Sequence, residues 1–513
     1  MNTLISEFDF KNLFILDLAN NHQGSLEHGL KIIKTFSKIA RDNDVKAVFK
    51  FQFRDLPDFI HKSEQSNPKN KHVTRFLSTK LSWDEFKLLR EAVREEDMLA
   101  ACTPFDENSV EKIQLMGFEI IKVASCSAKD FPLLTKIAES GIPVIASTGG
   151  LNIDEVDNIV SFFHHRAVEF ALMHCVSIYP TPDEACNLSC IKDFKSRYDN
   201  LTIGWSTHEP PSDIIQIGLA YSLGARIFER HVGIPTNSIK LNQYSSTPDE
   251  IDKWIKTWKR VVELTGQPLR KNLLKEETDS IDLLKRGVFA KNKIKSSTKI
   301  SQDDIYFAFP YREGQLTSGS WKDGIVLEKN INKDCPIYIE DIKIPKDKNE
   351  LVIKKAIHKV KALLSYANIP LNHEFKTEYS HHYGIKNFDK VGAVLITVVN
   401  REYAKKIIVQ LAGQIHPWHF HKLKEETFII NYGVLNIEIG KKKVNLTPGD
   451  QITVPPGIWH RFWTETGCVF EEISTTAFKN DSVYRDPKIN KLKSYERKTT
   501  VDHWGRFQLD NQS

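Results

Sequence analysis

Short apolar runs alternate with amphipathic stretches over the first half of the chain. The amphipathic stretches carry apolar residues at helical spacing, as in 26–43 and 130–138. Strands that are separated by crossover helices form a parallel sheet. The pattern predicts eight strands, at 12–18, 46–52, 98–103, 119–124, 143–147, 168–175, 201–205 and 226–231.

Eight such units in sequence predict a closed (β/α)8 TIM barrel, an α/β fold, over residues 1–268. A doubly wound open sheet is the alternative, but the turn after the first strand, NNHQGS, has one glycine where a dinucleotide-binding sheet has several. The segment 52–82 is polar and has no clear period. Because it follows the second strand, we expect a functional loop over the barrel mouth.

The second half of the chain predicts smaller units. Residues 282–346 contain two short strand patterns, GVFAKNKI and GIVLEKNI, and form a small domain. Residues 347–369 are a lysine-rich helical linker. Short alternating strands from 370 to 476 predict an all-β barrel or jelly roll. The polar residues 477–513 are expected to form a surface tail, partly disordered.

Composition and charge exclude several classes of protein. The 71 basic and 66 acidic residues give a net charge of +5 without a dense basic run, so we expect no nucleic-acid partner. No apolar run reaches the roughly 20 residues that cross a bilayer, so no membrane contact is expected. The N-terminus lacks a secretion signal, and the seven scattered cysteines suit a reducing compartment. The sequence therefore predicts a cytoplasmic protein of two to four domains.

Polar residues follow the predicted barrel strands, and in a closed barrel these strand ends meet at one mouth. Lys50 and Lys122 follow buried strands, and a buried lysine needs an anionic partner. His208 and His231 follow neighbouring strands, where two neutral imidazoles can share a divalent ion. We therefore expect a phosphorylated anion and a metal at the mouth. The other candidates at strand ends are Asp17, His22, Gln52, Thr103, Ser125, Ser147, His174, Ser206 and Glu229.

Eight segments of this half, in order, resemble the sialic acid synthases. They are LANNHQGS, KFQ, CTPFDENSV, IKVASCSAKDFPLL, PVIASTGG, LMHCVSIYPTP, IGWSTHE and IFERHV. The resemblance implies a barrel that condenses phosphoenolpyruvate with an aldose, typically N-acetylmannosamine, into a nine-carbon 2-keto-3-deoxy acid and phosphate. It also implies that 282–346 is an antifreeze-like (SAF) domain, which caps the partner's barrel in a domain-swapped homodimer.

The resemblance also assigns roles to single residues. His208 and His231 would hold Mn²⁺ or Mg²⁺, which would polarise the aldehyde oxygen as a Lewis acid. Asp17 takes the place of a glutamate that handles protons or activates water. Phosphoenolpyruvate would contact Lys50, Thr103, Lys122, Ser125, Ser147 and Ser206. The sugar would contact Gln52, Tyr179 and Glu229.

Several positions depart from the family pattern. Asp17 is one methylene shorter than the family's glutamate, and Thr207 replaces an aspartate. In IKLNQYSS, which follows the second metal histidine, Asn242 substitutes for an acidic sugar contact. Phe309 stands where the SAF domain has a sugar-contacting arginine, and Arg312 is the substitute candidate. Since the phosphoenolpyruvate and metal positions match while sugar positions differ, the sequence predicts the same reaction on a different aldose.

Two spaced motifs in the last third match a cupin. Residues 413–433 contain a glycine, HxH and a glutamate, and residues 449–460 read GDQITVPPGIWH. His419 and His421 are two apart on a strand, so both face the same side. With His460 and Glu426, or Glu425 in its place, they would hold a second divalent ion, Mn, Zn, Fe or Ni. His416 is expected behind these ligands or at the surface.

The cupin also carries a resemblance of its own. HFHKLKEE followed by FEEIST resembles sugar-isomerase cupins of the lyxose isomerase type. In such a site a metal holds adjacent sugar oxygens while a carboxylate moves a proton between aldose and ketose. Two alternatives to a simple synthase stay open: a bifunctional isomerase–synthase and a sugar-binding regulator without turnover.

Overall fold

The structure, a computed structural model, describes residues 8–65, 70–206, 208–266, 273–345, 349–371, 375–478 and 480–505. The chain divides into two compact units, Met1–Lys271 and Asn272–Ser513. Every helix in these ranges is too short or too polar to cross a bilayer.

The first unit is a closed parallel barrel. Each strand pairs with the next in sequence, and the eighth pairs with the first, which leaves no open edge. The strands are β1 (Leu13–Asp17), β2 (Ala47–Phe53), β3 (Leu99–Pro104), β4 (Ile120–Val123), β5 (Val144–Ser147), β6 (Phe170–Cys175), β7 (Ile203–Ser206) and β8 (Ile227–Val232). Each predicted strand is confirmed, with ends shifted by at most two residues. A short strand, β9 (Ser245–Ser246), pairs with β8.

Helices surround the barrel because one face of each is apolar. In the first of them, Ile32, Ile33 and Phe36 are buried against the strands. Side-chain caps fix several starts; Ser82 and Glu85 form a capping box at one. The helices are α1 (Leu26–Asp42), α2 (Leu56–Phe59), α3 (Lys62–Gln65), α4 (Lys71–Ser78), α5 (Trp83–Glu95), α6 (Glu107–Leu115), α7 (Phe131–Glu139), α8 (Ile153–His164), α9 (Ser189–Arg197), α10 (Ile215–Leu223) and α11 (Pro248–Thr265).

The segment 52–82, predicted as a functional loop over the barrel mouth, contains α2, α3 and α4 in its described residues. These helices are too short for their period to stand out in the sequence. The guanidinium of Arg54 lies 4.0 Å from the ring centre of Phe76 and 3.6 Å from that of Phe105, which follows β3. This cation–π stack ties the segment to the carboxyl end of a barrel strand.

The second unit begins with a small β-rich region that has its own core. Val288, Leu316, Ile325 and Ile337 are fully buried within it. Two antiparallel pairs join β10 with β11 and β12 with β13. The elements are α12 (Lys275–Asp282), β10 (Gly287–Ala290), β11 (Ile305–Ala308), β12 (Val326–Leu327) and β13 (Ile342–Lys343).

The rest of the second unit is an all-β domain of two sheets, as the cupin motifs predict. The strands are β14 (Lys376–Ser380), β15 (Ala393–Asn400), β16 (Tyr403–Gln410), β17 (His419–His421), β18 (Glu426–Gly433), β19 (Leu435–Ile439), β20 (Lys442–Leu446), β21 (Gln451–Val454), β22 (His460–Trp463), β23 (Cys468–Thr475), β24 (Ser482–Tyr484) and β25 (Lys498–Asp502). One sheet has the order β21-β18-β23-β16-β15-β14-β25, and the other β20-β19-β22-β17-β24. Three helices accompany them, α13 (Asn349–Tyr366), α14 (Pro487–Lys491) and α15 (Ser494–Arg497).

The structure moves both predicted boundaries of the cupin outward. In the predicted linker, Ile353, Ile357 and Val360 of α13 are buried in one cluster with strand residues of the cupin. In the predicted tail, β24 pairs with β17 and β25 pairs with β14. These strands have three and five residues, too few to show an alternating pattern against their polar surroundings.

Candidate functional site

The pairing of three barrel strands brings three ionisable side chains together at the carboxyl end. Asp17, at the end of β1, lies opposite Lys50 of β2 on one side and His231 of β8 on the other. Its Oδ2 is 3.0 Å from Lys50 Nζ and 3.2 Å from His231 Nδ1. Its Oδ1 accepts a hydrogen bond of 3.0 Å from the backbone N–H of Ala19. Both oxygens of this buried carboxylate are therefore engaged.

Glu229 bridges the two lysines predicted to bind an anion. Its Oε1 is 2.5 Å from Lys50 Nζ, and its Oε2 is 3.8 Å from Lys122 Nζ. Lys122 also donates a hydrogen bond to Ser147 Oγ. All these side chains are buried. The anionic partner that each buried lysine requires is thus a carboxylate of the barrel itself.

The two lysines differ in how well their charges are matched. Burial alone would lower the pKa of Lys50, but the carboxylates of Asp17 and Glu229 outweigh it and raise that pKa. Burial lowers the pKa of Lys122, and the more distant Glu229 offsets this only in part. Lys122 is therefore the cation with the greater need of a further anion.

His208 and His231 meet the chemical requirements of metal ligands. Their ring centres are 5.3 Å apart. Nδ1 of His208 is 3.0 Å from the carbonyl oxygen of Val176, and Nδ1 of His231 faces Asp17. A proton held on Nδ1 in this way leaves Nε2 free to bind an ion. Burial lowers the pKa of His208 to about 3 and also lowers that of His231, so both rings are neutral, and the pair fits a divalent ion.

Two tyrosines lie beside these imidazoles. The ring of Tyr179 is centred 4.2 Å from that of His208 and is half exposed. The ring of Tyr244 is 5.2 Å from Tyr179 and 5.1 Å from His231. Tyr179 was a predicted sugar contact, whereas sequence reasoning missed Tyr244. Its signal was available as the single aromatic residue of IKLNQYSS.

One of the predicted hydroxyl residues, Ser125, lies directly against the backbone of Gly149. Ser125 Oγ accepts a hydrogen bond of 3.0 Å from the backbone N–H of Gly149. A Cβ on Gly149 would lie 2.7 Å from Ser125 Oγ and 2.3 Å from Ser177 Oγ, so only glycine leaves this space open. Thr103, Ser147 and Ser206 are buried at their strand ends.

Other predicted residues have different contacts. Gln52 Oε1 accepts a hydrogen bond of 3.3 Å from Arg54, and Asn242 Oδ1 accepts one of 3.1 Å from the backbone N–H of Tyr244. Arg312 is exposed on the second unit, and Thr207 lies outside the described residues.

Two strand-end histidines pack into the barrel wall. His22 lies edge-on to the ring of Phe86, and Nε2 of His174 is 2.8 Å from the carbonyl oxygen of Cys186. Their contacts point to a role in stabilising the fold.

The cupin sheets assemble the second predicted site. His419 lies directly opposite His460 between β17 and β22. Each of His419, His421, Glu426 and His460 is buried and offers one ligand atom, and these atoms lie within 4.8 Å of one another. The adjacent Glu425 is exposed, whereas Glu426 is buried beside the three imidazoles.

The three cupin imidazoles are oriented as metal ligands. Nδ1 of His419 is 3.0 Å from the carbonyl oxygen of Pro417, and Nδ1 of His460 is 3.0 Å from that of Ile458. Nδ1 of His421 lies 3.3 Å from Ser482 Oγ and 3.3 Å from Asp481 Oδ2. Burial lowers the pKa of His419 and lowers that of His421 to about 4, so these rings are neutral. The donor set fits a divalent first-row metal.

Several residues behind these ligands were not predicted. Lys424 Nζ lies 2.5 Å from Glu426 Oε2 and 2.8 Å from Glu472 Oε1. Lys406 Nζ lies 2.9 Å from the same oxygen of Glu472. Lys424 and Glu472 fall within HFHKLKEE and FEEIST, but nothing in those letters shows that they meet. His416 is buried 4.5 Å from the ring of His419, which excludes the surface position.

Comparisons with known proteins divide the chain in the same way. The NeuB family model matches residues 38–270, and the cupin domain model matches residues 407–471. The uncharacterized protein MJ1065 of Methanocaldococcus jannaschii is 31% identical, over 63% of this chain and 92% of that protein. The N-acetylneuraminate-9-phosphate synthase of Drosophila melanogaster is 27% identical, over 66% of this chain and 98% of that protein.

A solved structure agrees with this division. The crystal structure of a Chromobacterium violaceum protein assigned as spore coat polysaccharide biosynthesis protein E has a TM-score of 0.62 and 39% identity. The match covers 65% of this chain and 100% of that one.

Proposed function

Because the chain belongs to the NeuB family of sialic acid synthase-type enzymes, we propose that its barrel condenses phosphoenolpyruvate with an aldose. The products would be a 2-keto-3-deoxy acid of the sialic acid type and inorganic phosphate. One observation carries the proposal: two buried lysines and two neutral imidazoles share the carboxyl end of one barrel.

The charge on Lys122 is the main reason to place phosphoenolpyruvate beside this residue. This lysine has a weaker carboxylate contact than Lys50 and faces Ser147. Phosphoenolpyruvate would supply the missing negative charge, and hydroxyl groups and the backbone at Gly149 would donate hydrogen bonds to it. The absence of a side chain at Gly149 keeps this space open.

The aldose would lie near the two imidazoles. A divalent ion held by His208 and His231 would act as a Lewis acid on the aldehyde oxygen. Tyr179 and Tyr244 flank these rings, so they would pack against the sugar and exclude water. Asp17 would hold the proton of His231 on Nδ1 and compensate the charge of Lys50, because both its oxygens are engaged in such contacts.

The bond changes balance without a further reactant. Carbon 3 of phosphoenolpyruvate forms a bond to the aldehyde carbon, and the aldehyde oxygen takes up a proton. Water adds at carbon 2, and the bond between carbon 2 and the phosphate oxygen breaks, which releases phosphate.

The acceptor is proposed to differ from N-acetylmannosamine. In the stretch after His231, Asn242 and Tyr244 replace an acidic sugar contact with an amide and an aromatic ring. Arg312 would reach the sugar only from the second unit, which in a domain-swapped homodimer belongs to the partner. An acceptor with a different substituent at the N-acetyl position fits these changes best.

The test is phosphate release from phosphoenolpyruvate and Mn²⁺ across hexoses, N-acyl hexosamines and their phosphates, with mass detection of the product. A synthase releases one phosphate for each 2-keto-3-deoxy acid and works with one acceptor class. A sugar-binding regulator binds an acceptor without releasing phosphate.

A further inference from the structure

The cupin encloses a charged cavity next to its four metal-ligand residues. Lys406, Lys424 and Lys498 line it together with the carboxylates of Glu378 and Glu472. Lys498 Nζ is 2.7 Å from Glu378 Oε1, and the other two lysines hold Glu472. Every cavity lysine is thus already paired with a carboxylate.

Without a metal ion, the charges around this cavity cancel. The three lysines balance Glu378, Glu472 and the ligand Glu426. Asp481 behind His421 and Arg497 over the ring of Tyr484 add one charge of each sign. A divalent ion on the three imidazoles and Glu426 therefore leaves two positive charges unmatched in a buried site, where uncompensated charge is costly.

The cavity has a volume of about 80 Å³. Three of the four ligand residues, His419, His421 and Glu426, line the cavity, so a group bound in it would lie beside the ion that they would hold. Such an ion would take oxygen donors in addition to its protein ligands. A group that fits must therefore be anionic and able to offer oxygen atoms to the ion.

We propose that the cupin domain binds the carboxyl end of a 2-oxo or 2-hydroxy acid through its metal ion. The carboxylate and the neighbouring oxygen are the two donors, and the carboxylate offsets one of the two positive charges. The proposal of this ligand class uses the cupin residues alone. It depends on the proposed barrel reaction only for one possible source of the ligand, because the product of that reaction is itself a 2-oxo acid. The charge of the cavity favours such an acid over a neutral aldose.

The experiment uses full-length protein carrying His208→Ala, so that the barrel neither turns over nor holds the ion through both imidazoles. Protein loaded with Mn²⁺ is titrated with pyruvate by calorimetry, and the relaxation of water protons by the bound Mn²⁺ is followed. Hydroxyacetone, which offers two adjacent oxygens without a charge, and acetate, a carboxylate without a neighbouring oxygen, are the matched controls.

We expect one pyruvate to bind per cupin and to lower the water relaxation, because chelation displaces water from the ion. Both controls should bind at least about tenfold more weakly, a difference of about 1.4 kcal/mol. Adding His419→Ala should abolish the effect of pyruvate on water relaxation, which pyruvate held by the barrel lysines does not produce. Equal affinity for hydroxyacetone or acetate overturns the proposal, as does an unchanged effect of pyruvate on water relaxation in the double variant.

If the double variant does not fold, a second measurement still tests the proposal. Stripping metal from the His208→Ala protein with a chelator should remove one pyruvate site per chain, and Mn²⁺ should restore it; an unchanged number of sites without metal overturns the proposal. A titration with N-acetylneuraminate, whose hemiketal keeps an oxygen beside the carboxylate, then distinguishes between two sources of the cupin ligand. Tighter binding than pyruvate points to a product of the barrel, and tighter pyruvate binding points to a small metabolite.

Discussion

Asp17 Oδ2 lies 3.2 Å from Nδ1 of His231, so a buried carboxylate faces the histidine that would hold a metal. The cupin repeats this contact, with Asp481 Oδ2 at 3.3 Å from Nδ1 of His421, which also lies 3.3 Å from Ser482 Oγ. In both sites a carboxylate outside the ligand set lies beside the Nδ1 atom, where it favours the proton on that nitrogen and leaves Nε2 for the metal.

Replacing Asp17 with alanine should weaken Mn²⁺ binding to the barrel by about 10–100-fold, the usual effect of losing such a partner. Phosphate release should fall with it. The measurement is Mn²⁺ affinity by calorimetry in a His419→Ala background, which leaves the barrel as the site observed. Asp157→Asn, which removes a carboxylate on the outer helix α8, serves as the control and should leave the Mn²⁺ affinity and the rate of phosphate release unchanged. Unchanged Mn²⁺ affinity with slow turnover would instead assign Asp17 to proton transfer.

Glu229→Gln should destabilise the barrel by about 3–5 kcal/mol, because it leaves buried lysines without a charged partner. Phosphoenolpyruvate would supply that charge. It should therefore raise the melting temperature of the variant more than that of the unchanged protein. Glu155→Gln breaks the exposed pair with Lys129 and should cost no more than about 1 kcal/mol. An equal shift in both proteins would show that phosphoenolpyruvate binds away from these lysines.

Acid should destabilise the barrel in part through His22. Burial lowers the pKa of His22 to about 4, whereas an exposed histidine titrates near about 6.5. Between these values the unfolded chain binds a proton that the folded chain does not. The free energy of unfolding therefore falls as pH falls through this window, by about 1.4 kcal/mol per pH unit for one group, and the contribution is constant above it.

His22→Asn isolates that contribution. The ring Nδ1 of His22 accepts a hydrogen bond of 3.1 Å from the backbone N–H of Gly24, and an asparagine oxygen can accept the same bond. Urea unfolding at pH values from 4 to 8 should give a slope below pH 6.5 that is smaller by about one proton in the variant. Identical slopes would mean that the unfolded and folded chains protonate His22 alike.

The sequence predicts the barrel well because its buried strands appear as short apolar runs and its amphipathic helices show apolar residues at helical spacing. It predicts the ligand histidines because motif spacing and strand alternation fix which way they face. It does not predict Tyr244, Lys424 or Asp481. Lys424 meets Glu472, and Asp481 approaches His421, across chain separations that no local pattern encodes. Tyr244 was available in the sequence as the single aromatic residue of IKLNQYSS.

The segment after residue 476 should be required for the cupin metal site. It supplies β24, β25 and Asp481, which accepts hydrogen bonds from the backbone N–H groups of Leu423 and Lys424 as well as facing His421. Ending the chain at 476 should abolish cupin metal binding, measured by metal analysis, while Asp481→Ala should only weaken it, about 10–100-fold. Glu425→Gln, an exposed neighbour of a ligand, should have no effect. Full metal content in the shortened chain would contradict this assignment.

The measurement that tests the central claim most directly compares phosphate release in three proteins: the unchanged chain, His208→Ala and His419→Ala. Each is given phosphoenolpyruvate, Mn²⁺ and the acceptor panel, and the product mass is recorded. If the barrel carries out the condensation, the unchanged chain and His419→Ala release phosphate together with a 2-keto-3-deoxy acid, and His208→Ala loses at least about a hundredfold in rate, about 2.7 kcal/mol of transition-state stabilisation. Full activity in His208→Ala, or phosphate release without the acid, would contradict the claim.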